Sequence, residues 1–439
     1  MIRSCGNFDP QVRGEVIMAV VGTQDSILQG RRVLDLTDVK GYMCGKVLAD
    51  LGADVIKVEP PGGDPGRNTS PFFQDDPHPE KSLPWLFCNM NKRGITLDIA
   101  SPLSKNIVVD LIKSSDFVIE SFDPGYLSSI GLGYEEMIKI NPKIILTSIT
   151  PYGQSGPHSN HKTTDLINMA RGGLMYMTGD PDRPPVRPGI PQSYLHGGVE
   201  GAAASMIAYY HREGTGETQH VDVSIQECVI WTNMDATGYW PLLGTYKRRN
   251  NMKNVNPNGV EMRSTWACKD GFVVFAISGG AAVSQRRVAQ GMVDWMDSEG
   301  MASDFIKSIN WATDYDRSSV SQEVVDKVEG NVQEFFFTKT KVELFAEGLK
   351  RQLRLGTATN GKDIAESEQL EARKYLIDVY HPYLEKTIRL PGPFLRMSET
   401  PIVIHRSAPT IGEHNDEIFI NELAIDNSLF QQLKKESII

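Results

Sequence analysis

The chain has no apolar run near the ~20 residues that a membrane-spanning helix requires. Its short apolar segment at residues 16–22 lies beside Glu15 and does not read as a secretory signal. Positive charge is also scarce: 45 Lys and Arg face 55 Asp and Glu, a net charge of −10. That balance argues against a nucleic-acid partner, which needs clustered basic residues against phosphates. Cysteines are few and odd in number: Cys5, Cys44, Cys88, Cys228 and Cys268 are scattered over 439 residues. They read as reduced thiols of a cytoplasmic protein and not as a disulfide framework. No internal repeat and no low-complexity tract is present. What is there is ordinary for a globular enzyme, 40% hydrophobic and 23% charged, and long enough for two domains.

Residues 1–29 lack periodicity and read as an N-terminal extension draped on a partner. From Arg32 the pattern alternates. Strands are expected at residues 33–36, 54–58, 95–99, 117–120, 144–149 and 220–225, with helices at 41–51 and from Ser101-Pro102 to Lys113. Strand–helix alternation predicts a mostly parallel, doubly wound α/β sheet. The register breaks in the polar, turn-rich stretch around residues 231–258, and residues 286–350 are mainly helical by spacing. The expected organisation is a large domain at 30–235, a linker at 236–259, a smaller α+β domain at 260–355, a second linker at 356–372, and a segment at 373–439 that returns to the large domain.

Residues 190–227 organise the chain. They read as a loop, a small-residue helix marked by Gly197, Gly198, Gly201 and Ala202-Ala203-Ala204, a turn and a strand. Small residues let a helix lie close against its neighbour, and free amides at a helix start attract anions. Residues 192–198 are therefore the first place to look for chemistry. His196 and Glu200, four apart, fit an acid–base pair or an ordinary cap. The PPGGDPGR turn at residues 60–67 lacks the Gly-Lys-Ser/Thr of a phosphate loop and reads as a rigid turn. His158, His161 and Asp165 have roughly metal-like spacing but no further ligands nearby, so no metal is expected. Lys247, Arg248 and Arg249 read as a solvated linker. Gly153-Gln154-Ser155-Gly156 is not a serine nucleophile elbow.

LADLGADVIKVE at residues 48–59, followed by that turn, resembles the class III CoA-transferase family. NKRGITLD at 91–98, PYGQSG at 151–156, TGE at 215–217 and GEHN at 412–415 extend the likeness in the family's order. The resemblance implies a Rossmann-like large domain with a small domain, two chains threaded as interlocked rings, and a coenzyme A thioester as substrate with no metal. It also implies chemistry through a loop aspartate that forms a mixed anhydride and then an enzyme-bound thioester. The matching position here is Tyr194. A phenol with pKa near ~10 is mostly protonated, and its ester would not repeat the anhydride cycle. Gln192, Ser193, Leu195 and His196 flank it, and none is acidic.

Other departures agree. Positions often basic against the coenzyme phosphates align with Pro60 and Ser129, and a glycine-rich flap aligns with NPNGVE at residues 256–261. The related racemases carry a histidine where this chain has Thr164. The matches that remain in the coenzyme groove are Val39, Lys40, Leu97, Phe122, Ile130 and Lys162. The expected role is thus the non-nucleophilic subunit of a hetero-oligomer, with a homologous chain supplying the aspartate. The pattern most resembles the two-subunit member that acts on succinyl-CoA and (R)-benzylsuccinate, which makes succinyl-CoA the expected donor and an aromatic succinate the expected acceptor. The alternatives are a homodimer that binds acyl-CoA or serves as a scaffold, and catalysis through Asp165 or Glu200 as an unorthodox carboxylate.

Overall fold

A computed structural model describes residues 26–250, 252–256 and 258–439. Of the extension expected at residues 1–29, residues 1–25, with the apolar segment and Cys5, lie outside the described residues, as do Asn251 and Pro257. Residues 26–29 form a turn in which Leu28 is fully buried and its amide donates to Leu51 O at 3.0 Å.

The chain divides into two compact units. The first comprises the described residues through Lys162, Tyr194–Ile225 and Tyr375–Ile439; the second comprises Thr163–Ser193 and Gln226–Lys374. In the first unit six parallel strands form one sheet: β1 (Arg32–Leu36), β2 (Asp54–Glu59), β3 (Lys92–Thr96), β4 (Phe117–Glu120), β5 (Ile145–Thr150) and β6 (His220–Ser224). Their order is β3-β2-β1-β4-β5-β6, so the winding reverses between β1 and β4. Helices cover both faces, which is why β1 to β5 are nearly all buried. On one face Leu34, Ile56, Val118 and Leu146 pack with α2 (Lys105–Lys113), with α3 (Tyr134–Ile140) and with Phe419, Phe430 and Leu433 from the C-terminal segment.

On the other face lie α1 (Tyr42–Asp50) and, further along the chain, α5 (Ser193–Thr215); α4 (Asp165–Arg171) precedes α5 and belongs to the second unit. The small residues of α5 have a direct cause. A Cβ at Gly198 would stand 2.7 Å from Met43 Cβ and 3.1 Å from Cys44 N, and one at Gly201 would stand 2.8 Å from Ile149 Cδ1. The helix therefore lies with its backbone against α1 and β5. Ser205, fully buried between them, shares a 2.7 Å hydrogen bond with Thr147 Oγ1.

The strand expected at residues 95–99 instead begins at Lys92. Lys92, although charged, is fully buried, and its Nζ donates to Asp35 Oδ2 at 2.9 Å, Tyr42 O at 3.0 Å and Asn89 Oδ1 at 3.0 Å. The open edge of β3 is covered by the GEHN stretch: His414 N donates to Gly94 O at 2.9 Å, and Thr96 N donates to Asn415 Oδ1 at 2.9 Å.

The second unit holds a three-stranded antiparallel sheet of Thr265–Cys268, Gly271–Phe275 and Leu355–Thr357. Helices Val283–Ser298, Gln322–Phe337 and Lys341–Lys350 pack on it around Trp266, Trp295, Phe335 and Phe336. The stretch read as linker contains a helix, Met234–Leu243, with no buried residue, and a short strand, Lys253–Val255, paired with Glu261–Arg263. Among the described residues no helix is long and apolar enough to cross a membrane.

Candidate functional site

Where the winding reverses, the loops after β1 and β4 diverge and leave a crevice at the carboxyl ends of the strands, the usual ligand position in such sheets. Here it is a cavity of about 840 Å³ lined from the ends of β1 and β2, from the loops that follow β1 to β5, and by Ser437 of the C-terminal segment. Leu36, Val58 and Leu97 give it an apolar wall, and the rings of Phe122 and Tyr126 meet 4.7 Å apart on another side. Lys40, Leu97, Phe122 and Lys162, four of the six residues expected in a coenzyme groove, come together in this lining. Val39 is 41% exposed beside Lys40 and does not line the cavity. Ile130 packs against the apolar core under α2 and α3. Pro60 lines the cavity, whereas Ser129 turns its hydroxyl back to Tyr126 O at 2.7 Å.

The turn at residues 60–67 forms one rim and is fixed from inside. Gly62 and Gly63 take φ of +87° and +96°. The fully buried Arg67 clamps Glu59 through Nε at 2.6 Å and Nη2 at 2.7 Å, and reaches Glu80 at 2.7 Å. Below the floor, burial opposes the charge of Asp35, but Lys92 and Lys57 together hold its carboxyl below the ordinary range. Glu120, at the end of β4, is a buried carboxyl whose charge is poorly compensated. Burial pushes its pKa up to about 7, even though its Oε2 accepts the Phe122 amide at 2.7 Å. Nothing in composition or spacing singled out Glu120; its place at the carboxyl end of a central strand was the available signal.

The start of α5 is not the open anion site that the sequence suggested. Asp165, at the start of α4, puts its Oδ1 there, accepting the Gln192 amide at 3.0 Å, the Ser193 amide at 2.9 Å and the Ser193 hydroxyl at 2.8 Å. Its Oδ2 is buried without a hydrogen bond, with Arg187 Nη1 3.8 Å away. The carboxylate is thus a cap for the amides and hydroxyl before Tyr194. Tyr194 lies in the first turn of α5, half-buried. His196 and Glu200 follow on α5, both half-buried. Among the described residues no hydrogen bond or ion pair joins their side chains.

The remaining candidates take structural roles. The rings of His158 and His161 lie tilted to each other with centroids 4.8 Å apart, next to Tyr152. Among the described residues no group of three or more His, Cys, Asp or Glu is placed to hold a metal ion. Arg249 donates through Nε to Asp180 O at 2.8 Å and through its guanidinium to Arg183 O, and Lys247 pairs with Asp235. Cys44 and Cys88 are buried thiols, pushed up to about 12 and about 11, and so inert as nucleophiles.

Over residues 28–415 the chain matches the sequence profile of CoA-transferase family III. It is 31% identical to the BbsE subunit of succinyl-CoA:(R)-benzylsuccinate CoA-transferase from Thauera aromatica, with 91% of this chain and 96% of that one aligned. It is 30% identical to a formyl-CoA:oxalate CoA-transferase of Streptomyces coelicolor, over 94% of this chain and 99% of the relative. Among solved structures, a CAIB/BAIF family protein from Brucella suis superposes with a TM-score of 0.77 at 27% identity, covering 91% of this chain and 100% of that one.

Proposed function

The chain belongs to CoA-transferase family III, and from that premise we propose that it is the non-nucleophilic subunit of a heteromeric CoA-transferase. A homologous chain supplies the aspartate; this one supplies fold, interface and part of a substrate pocket. The observation that carries the reading is Tyr194 in the first turn of α5, where the acyl exchange needs a carboxylate able to carry and release an acyl group. Asp165, the acid nearest in kind, caps Gln192 and Ser193 instead.

Two further observations support a partner. The relative from Thauera aromatica is itself named as a subunit. Ile207 and Tyr210 on α5 are 69% and 83% exposed, and Trp240 and Leu242 on helix Met234–Leu243 are also exposed, apolar side chains that a partner would cover. The proposed assembly is the interlocked pair of rings, in the cytoplasm. The proposed donor is succinyl-CoA and the proposed acceptor an aromatic succinate such as (R)-benzylsuccinate, by likeness to that relative. In the cycle the partner's aspartate attacks the donor thioester, releasing CoA thiolate and forming an anhydride. The thiolate then attacks the aspartyl carbonyl of that anhydride, releasing succinate and leaving an aspartyl thioester. The acceptor carboxylate attacks this thioester, releasing the thiolate and forming a second anhydride, and the thiolate attacks the acceptor carbonyl to give the acceptor's CoA thioester and the free aspartate. Co-expression with a homologous aspartate-bearing chain from the same host, followed by assay with succinyl-CoA, tests the reading. Activity only in the co-purified complex supports it, and full activity of the lone chain overturns it.

A further inference from the structure

We propose that the cleft of this chain accepts the uncharged nucleoside end of a coenzyme-like ligand and disfavours its phosphates. The inference deepens the reading above and rests on it only in one consequence: in the proposed complex, coenzyme A occupies the homologous chain's cleft in preference to this one.

Shape favours a flat, apolar ring. The cavity has the Leu36, Val58 and Leu97 wall and the Phe122–Tyr126 aromatic corner described above. Charge opposes an anion. The lining carries five carboxylates, Asp38, Glu59, Asp64, Asp98 and Asp123, against two ammonium groups, Lys40 and Lys162. Both ammonium groups are already paired, Lys40 with Asp38 and Lys162 with Asp123. The cations beneath are taken as well. Arg67 is held between Glu59 and Glu80, and Lys57 lies 3.7 Å from Asp35 and 3.9 Å from Asp64.

Backbone donors could stand in for cations, but the rim has few to offer. Pro60, Pro61 and Pro65 have no amide hydrogen. The Gly63 amide donates to Pro60 O at 2.9 Å, that of Asp64 to Glu59 Oε2 at 2.8 Å, and that of Gly66 to Asp64 Oδ1 at 2.7 Å. A phosphate entering here meets carboxylates with no uncommitted cation among the described lining residues, and unscreened repulsion sets its affinity.

The test is a calorimetric titration of the purified chain with coenzyme A and with 3′-dephospho-coenzyme A, at low and moderate salt. The dephosphorylated form is expected to bind at least as tightly, and coenzyme A affinity is expected to hold or rise as salt screens the repulsion. Asp123→Asn, which frees Lys162 on the surface, is expected to tighten coenzyme A at least about threefold with an unchanged melting temperature. Coenzyme A binding more tightly than its dephosphorylated form and weakening with salt overturns the proposal. So does a failure of both ligands to bind, or an unchanged affinity in Asp123→Asn. None of these readouts involves turnover or a second chain, so they are independent of whether the lone chain proves active.

Discussion

Asp165 Oδ1 accepts the Ser193 hydroxyl at 2.8 Å and the Ser193 amide at 2.9 Å, so the residue before Tyr194 is tied to the start of α4. Asp165, one of the two acids considered with Glu200 as a substitute nucleophile, is committed to that loop's geometry. Ser193→Ala removes one neutral donor and should cost about 1 kcal/mol; Asp165→Ala strands buried amides and should cost about 2–3 kcal/mol. Urea denaturation of the two variants checks the ordering. Equal effects would show that the carboxylate is not the cap.

Gly198→Ala should destabilise the chain by about 1–3 kcal/mol, because the added Cβ meets Met43 Cβ at 2.7 Å and has no room to relax between α1 and α5. Gly214→Ala, on the same helix with nothing within 4 Å, is the control and should be close to neutral or stabilising. Thermal melts of both variants test whether close helix approach, and not helix propensity, is what the small residues serve.

Glu120 gives the chain a pH signature of definite sign. Its carboxyl ionises near 4.5 when unfolded and at about 7 when folded, because burial disfavours the charge. Between those values the unfolded chain releases a proton that the folded chain keeps, so this group's contribution to stability falls as pH rises and its full cost is felt above pH 7. Glu120→Gln should remove that slope and stabilise the protein above neutrality, by at most about 3 kcal/mol. Denaturation midpoints measured from pH 4.5 to 8 would expose an unchanged slope if another group were responsible.

Periodicity alone located most of the sheet, since β1, β2, β4 and β5 are buried strands rich in Val, Ile and Leu. It misplaced β3, because Lys92 and Arg93 look like surface residues until Asp35 and Asn89 are seen to satisfy the first and Asp54 and Glu417 the second. It also took Met234–Leu243 for linker, since Gly238 and Pro241 lie inside that helix. Of the proposed site, Tyr194 at the start of α5 was legible in the sequence, and the lining only partly so. Tyr194 is visible in any reading of the loop. The cap by Asp165 joins residues 27 and 28 positions apart, and Ile130 belongs to the core because of which face of a four-residue helix turn it follows. Neither relation has a local sequence signal.

If this chain is the non-nucleophilic subunit, the acyl group is never carried by this polypeptide. The most direct measurement is to incubate the co-purified complex with succinyl-CoA, trap the activated carboxyl with hydroxylamine, and map the modified residue by mass spectrometry. A hydroxamate is expected on an aspartate of the homologous chain and none on this one. A hydroxamate on Asp165, Glu200 or any other acid of this chain would contradict it.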